Sequence, residues 1–212
     1  MEREPSICAL VAASDFNAEH FAACDAEGVF DYVIAVDAGF AHLEALGRAP
    51  DLALGDFDSL GYVPKCKKVA RHPSHKDKSD LELALDRAMN RRFTDLVVYG
   101  ALGGRLDHTV ANLQMMARYA ESGVDVTAIA PDYAARYVVG PDVYDLPLLD
   151  EGTVSVFALT PEVHGVIERG MEYSIDDETL DNRTTRGLSN ELIGEEAAVA
   201  VEAGTLLVFH PL

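Results

Sequence analysis

The sequence predicts an α/β N-terminal domain with a mostly parallel, Rossmann-like sheet over residues 1–140, followed by a small all-β domain over 141–212. Three observations carry this. Short continuous apolar runs alternate with segments of helical periodicity through the first two-thirds of the chain. Such alternation marks strands joined by crossover helices, which cover both faces of a parallel sheet. Near Pro141 the pattern changes to short β-rich runs separated by Gly, Pro, Asp and Asn, with no amphipathic helix beyond it.

The elements follow in order. Ile7 to Ala13 reads as a first buried strand. It is too short to span a membrane, and the preceding Glu2 and Glu4 are the wrong flank for a signal peptide. "YVIAV" (Tyr32 to Val36) is apolar throughout, as a strand buried on both faces must be. In "DAGFAHLEALG" the residues Phe40, Leu43 and Leu46 recur at helical spacing, and Gly47 suits the position just past the helix. "LALGD" is the next strand. "SDLELALDRAMNRR" sets Leu81, Ala84, Leu85, Ala88 and Met89 on one helical face. "DLVVYG", "DHTVANLQMMARYA" and "VDVTAIA" continue as strand, helix and strand. Beyond "YDLPL" the runs "TVSVFAL", "GVIERGMEYSI" and "AAVAVEAGTLLVFH" are β-rich.

A chain of 212 residues makes one large domain or two modest ones. Asp and Glu outnumber Lys and Arg 36 to 17, a net charge of −19. This argues against nucleic acid and anionic membranes as partners, since both call for basic surfaces. It would also repel a phosphate-bearing substrate unless a divalent cation intervened. Cys8, Cys24 and Cys66 lack C-x-x-C spacing, which argues against a disulfide framework or zinc site and for a reducing compartment; the expectation is cytoplasmic.

Ligands of parallel sheets sit beyond the carboxyl ends of the strands. Asp37, Asp56, Asp58 and Asp107 follow predicted strands, and Asp77 and Asp80 stand at a helix entry. Each has an ordinary structural reading as a turn or cap residue. Ser79 and Glu82 form an S-x-x-E capping box, which leaves Asp80 in a first helical turn where the helix dipole favours its charge. Asp56 and Asp58 are harder to explain this way: two acids so spaced in an extended turn can share a hard cation such as Mg²⁺. Gly100, Gly103 and Gly104 make a flexible strand-to-helix loop, and Arg105 offers a charge-assisted contact to phosphate; a tight turn with a surface arginine fits as well. His72, His75 and His108 give only a weak zinc signal. Ser59 and Ser189 lack the G-x-S-x-G context of a serine hydrolase.

These stretches resemble the thiamine pyrophosphokinase family. "VDAGFAHLEALGRAPDLALGDFDSL", "DKSDLELAL", "GALGGRLDHTVANL", "GVIERGMEYSIDDETL" and "TRGLSNEL" look like five of its motifs, in order. The resemblance implies transfer of the pyrophosphoryl group of ATP to the thiamine hydroxyl, giving thiamine diphosphate and AMP. It also implies an ATP- and Mg²⁺-binding α/β domain, a thiamine-binding β-sandwich domain and a homodimer. Carried over by position, Asp56, Asp58 and Asp80 would be magnesium ligands, with Asp107 also at the catalytic centre. Asp37, Ser59, Asp77, Gly103, Gly104, Arg105 and Asn112 would serve the nucleotide or substrate pocket, and Arg186, Ser189 and Asn190 the β-domain motif. Asp37 and Asp107 are the candidate general bases.

The sequence departs from the family at Ala38, where glycine is usual, and at Ser79, where threonine is usual. It has no tryptophan, so any aromatic partner of thiamine must be Tyr or Phe. Two other readings compete. "LALGDFDSL" also resembles the strand and D-x-D of haloacid dehalogenase phosphohydrolases, in which Asp56 would be a nucleophile. A catalytically silent thiamine- or nucleotide-binding regulator would retain the fold without turnover.

Overall fold

The computed structural model describes residues 6–72 and 77–212. Glu2, Glu4 and His75, which entered the readings of the N-terminus and of a zinc site, lie outside the described residues. The first part of the chain runs β1 (Ile7–Val11), α1 (Ala18–Ala26), β2 (Tyr32–Val36), α2 (Gly39–Ala45), β3 (Leu52–Gly55) and β4 (Val69–Arg71). It continues with α3 (Asp80–Asn90), β5 (Asp95–Tyr99), α4 (Leu106–Ala120) and β6 (Asp125–Ile129).

These six strands are parallel, in the order β4-β3-β2-β1-β5-β6. All five residues of β2 and all four of β3 are buried, which is why their sequences are apolar without alternation. The helices carry the matching stripe: α3 buries Leu81, Ala84, Leu85 and Ala88 on one face. Gly47 closes α2 as its position predicts, at φ +69°. Its N–H donates to Glu44 O and that of Arg48 to Leu43 O. From β1 the chain passes to β2 on one side, and β5 pairs on the other. Strand order therefore reverses between β1 and β5, opening a crevice at their carboxyl ends.

The chain divides into two compact units, one ending at Pro131 and the other comprising Asp132–Leu212 with Met116–Ser122 from the end of α4. The second holds β7 (Tyr133–Val139), β8 (Asp142–Asp145), β9 (Gly152–Ala158), β10 (Glu162–Arg169), β11 (Ile175–Asp181), β12 (Asn190–Leu192), β13 (Ala198–Val201) and β14 (Thr205–Pro211). β7 lies on this side of the division because it pairs with β14 along its whole length. The strands form two antiparallel groups, β7-β14-β9-β12 and β11-β10-β13-β8. One hydrophobic cluster, including Val138, Val154, Val166, Val199 and Leu206, draws residues from both groups. The run "AAVAVEAGTLLVFH" is two strands, β13 and β14, one in each group, parted at Gly204.

A buried polar pair sits in this unit. His210 is 4% exposed, and its Nδ1 lies 2.7 Å from the Pro211 carbonyl, which can only accept. Nδ1 therefore carries the proton, and Nε2 accepts from the Tyr144 hydroxyl at 2.8 Å. Burial holds the imidazole pKa below its ordinary value of 6.5. A histidine with a depressed folded-state pKa contributes stability that is present above the unfolded pKa and lost as pH falls through the folded one. Denaturant unfolding of wild type and His210→Gln from pH 8 to pH 5 should therefore converge: wild type loses stability below about pH 6.5 more steeply than the variant. Parallel curves would contradict this assignment.

Candidate active site

The carboxyl edge of the parallel sheet holds a cavity of about 500 Å³. β1 leads into Ala12, Ala13 and Ser14; β2 into Asp37; β3 into Asp56; and β5 into Gly100, Ala101, Gly103 and Arg105. Lys78, Ser79, Asp80 and Leu81 enter from the start of α3, and His108 and Asn112 from α4. Each side chain is there because a crossover begins there, so the sheet topology gathers residues far apart in sequence.

Asp37 is the most constrained of them. It takes φ +47°, a region rare for residues with a side chain but tolerated by Asp. Its N–H donates to Leu54 O at 2.8 Å. Gly55 makes this approach possible: a Cβ there would lie 2.9 Å from Asp37 Cα. Asp37 Oδ1 is buried without a hydrogen-bond partner. Burial raises its pKa, and the charges of Asp56 and Asp80 raise it further, while backbone N–H groups of Ala38 and Phe57 oppose the shift. An acid-lined cavity with a buried, unpartnered carboxylate oxygen has donors of the kind a hard divalent cation uses. Among the described residues, no three His, Cys, Asp or Glu side chains are grouped to hold a metal by themselves. Magnesium does not need such a cage, since it is commonly held by one or two carboxylates together with substrate phosphates and water.

The DFDS segment is not extended as its acids suggested. Phe57 is buried at φ +62°, and Asp58 N–H folds back onto Asp56 Oδ1 at 3.0 Å. The turn leaves Asp56 in the cavity lining, while Asp58 and Ser59 are exposed and outside it. Ser79 caps α3 as expected, its Oγ accepting from Glu82 N–H at 3.2 Å, which sets Asp80 in the first turn. Asp77, just before it, is exposed.

In the β5–α4 loop Gly103 sits against the β1–α1 loop, where a Cβ would fall 2.0 Å from Asp15 Oδ2. Asn112 Nδ2 donates to Ala101 O at 2.7 Å, so this residue braces the loop as well as lining the cavity. Arg105 makes a two-pronged contact with Asp107, at 3.1 and 2.6 Å. That hydrogen bond holds the Asp107 pKa below its ordinary value. Of the two candidate bases, Asp37 has the raised proton affinity and Asp107 the lowered one. Asp107 and Gly104 are exposed and outside the cavity lining.

In the second unit Arg186, Ser189 and Asn190 line a smaller cavity of about 130 Å³ with Glu168 and Tyr173. Asn190 is 5% exposed and donates to Glu168 Oε2 and to Tyr173 O. Arg186 is paired with Glu178 through two nitrogens.

Sequence reasoning missed Ala12, Ala13, Ser14 and Lys78. Ala12 and Ala13 bear no functional group and Ser14 only a hydroxyl in no motif, so only their place after the first strand signals them. His42 was also missed; its Nε2 lies 3.1 Å from Ser14 O, with the ring stacked on Phe16.

This layout, with an acid-lined cavity and a glycine loop at the switch point of a parallel sheet, puts a candidate site where open α/β sheets carry their ligands. The family model for the thiamin pyrophosphokinase catalytic domain matches residues 29–128, and that for its vitamin B1 binding domain matches 145–207. A thiamine pyrophosphokinase of Bacillus subtilis is 27% identical over 84% of this chain and 86% of its own length. A crystal structure of a thiamin pyrophosphokinase family protein from Enterococcus faecalis superposes with a TM-score of 0.80 at 28% identity, covering 98% of this chain and 99% of that one. One from B. subtilis, at 24% identity, has a TM-score of 0.82 over 97% and 99% of the two chains and speaks for the fold. The chain belongs to the thiamin pyrophosphokinase family.

Two substitutions check the local geometry. Gly55→Ala should cost about 1–3 kcal/mol and depress activity with it, because the added methyl meets the Asp37 backbone; a normal melting temperature would contradict the packing. Ser79→Ala should cost about 1 kcal/mol by removing the cap of α3, measured by denaturant unfolding.

Proposed function

We propose that the chain transfers the pyrophosphoryl group of ATP to the hydroxyl of thiamine, giving thiamine diphosphate and AMP. The observation that carries this is the cavity gathering Asp37, Asp56 and Asp80 beside the β5–α4 glycine loop, inside the segment matched as a catalytic domain. The hydroxyl oxygen attacks the β-phosphorus of ATP, the bond from that phosphorus to the α–β bridging oxygen breaks, AMP leaves with that oxygen, and the hydroxyl proton is released. Such transfers depend on positioning and on neutralising charge around the phosphoryl group.

The fold divides that work. Backbone N–H groups of the Gly100–Gly104 loop, with Arg105, face the polyphosphate, while the carboxylates suit cationic thiamine. Asp56 and Asp80, with Asp37 beside them, would hold Mg²⁺, and Asp58 would join them on a shift of its exposed turn. Bound there, the ion would offset phosphate charge in a cavity otherwise hostile to an anion. The vitamin B1 binding match over 145–207 supports assigning thiamine recognition to the second unit, with Arg186 and Ser189 at its small cavity. Ser59, Asp77, Gly104 and Asp107 stay in the proposed set as rim residues that would close on bound substrate.

A homodimer is part of this reading. Leu106 and Val110 on α4 are 75% and 46% exposed, apolar surface that a second copy would cover. The cytoplasm suits three unpaired thiols, and among the described residues no helix is long and apolar enough to cross a membrane.

Incubation with ATP, Mg²⁺ and thiamine should yield AMP and thiamine diphosphate in equal amounts, and EDTA should abolish both. Asp56→Asn should lower turnover about 100-fold or more with little change in melting temperature, since this partly exposed strand-end side chain adds little packing. Near-normal turnover in the variant would remove Asp56 from the metal site. Inorganic phosphate released without thiamine would overturn the reaction in favour of a hydrolase.

A further inference from the structure

Among the described residues, few cations line this cavity to meet a polyanionic substrate. Its described lining contains three aspartates, Asp37, Asp56 and Asp80, and, besides His108, two bases of high pKa, Lys78 and Arg105. Both bases are paired with acids outside that lining. Arg105 is held by its near neighbour Asp107 through a two-pronged contact. Lys78 is held differently. It stands just before the Ser79 cap, and its ammonium reaches along α3 to Asp86 Oδ2 at 2.6 Å and Glu82 Oε1 at 3.4 Å. Neither Glu82 nor Asp86 lines the cavity.

We propose that Lys78 is a phosphate-binding residue that exchanges partners: parked on Asp86 and Glu82 in the free protein, it turns onto the ATP polyphosphate when the nucleotide binds. This rests on the nucleotide reading given above. The geometry permits the exchange because Lys78 already borders the cavity and is 42% exposed on a flexible stem. The energetics permit it because an exposed lysine–carboxylate pair is weak and screened by water. A polyphosphate entering the cavity offers a stronger partner, since it concentrates several negative charges on neighbouring oxygens. The arrangement also moderates the cavity's negative field towards the donor without adding a permanent positive charge where cationic thiamine must approach.

The exchange predicts a coupling that a merely structural pair would not show. Binding of a non-hydrolysable ATP analogue with Mg²⁺ should be measured for wild type, Lys78→Ala, Lys78→Arg, Asp86→Asn and the Lys78→Ala/Asp86→Asn double variant. Lys78→Ala should weaken nucleotide binding about tenfold, leaving thiamine binding within about twofold, and Lys78→Arg should recover most of the loss. Asp86→Asn should tighten nucleotide binding about threefold by releasing the parked ammonium, and that gain should vanish in the double variant. Unchanged binding in Lys78→Ala would overturn the proposal, as would an Asp86→Asn gain that persists without Lys78. Because the readout is nucleotide binding, these outcomes stand apart from the reaction itself. A wild type that binds the analogue but makes no thiamine diphosphate would sink the functional reading and leave Lys78 still measured.

Discussion

The candidate site depends on one close approach, that of β3's last residue to the residue following β2. Parallel register aligns Val36 with Leu54, so the next peptide of each strand meets the other at the carboxyl edge. Asp37 N–H closes onto Leu54 O there, and only a residue without a Cβ leaves room opposite. This contact turns Asp37 into a left-handed backbone conformation and points its carboxylate where Asp56 and Asp80 already are. The apolar interior of β2 and β3 exists, in effect, to hold that edge still.

The same contact has an electrostatic cost. Burial of the Asp37 carboxylate raises its pKa, and the nearby charges of Asp56 and Asp80 add to the shift. Proteins tolerate such strain where function gains by it. A cation held by one or two of these carboxylates together with substrate phosphates would offset the repulsion, and the chain's net charge of −19 makes the local need greater. The unusual feature is where the compensating positive charge lies. Among the described residues, Arg105 and Lys78 border the cavity but are both paired with acids outside it.

Much of this was legible in the sequence because it is local. Ser79 announces the start of α3 by its hydroxyl and by Glu82 three residues on, and Gly47 announces the end of α2; both work through bonds within a turn. The alternation of buried strands and amphipathic helices is set by burial period, which tertiary contacts only confirm. What was not legible depends on tertiary fit. Nothing in "GDFDS" says that Phe57 will bury its ring at a positive φ and so turn Asp58 outward. β4 has only three residues and shows no run to recognise. Ala12 and Ser14 reach the site only because β1 lies at the centre of the sheet, a fact of topology rather than composition.

Asn190 shows how far a motif can carry an assignment. The resemblance places it in the β-domain motif, and it does line the small cavity. Yet its side chain is already fully used. Its amide donates to Glu168 and to Tyr173 O, while its oxygen accepts from the N–H groups of Tyr173 and Glu191. Two donors and two acceptor sites are all an asparagine amide has. A ligand could engage it only by displacing one of these bonds, at the cost of a buried polar group left without a partner. Its work is therefore to fix the turn at Tyr173 and the strand start at β12, which together set the walls of the cavity. Ser189, at φ +59° beside it, and Arg186 are exposed residues on those walls. If the second unit reads thiamine directly, the contacts are to be sought among them and Tyr173, with Asn190 holding the frame.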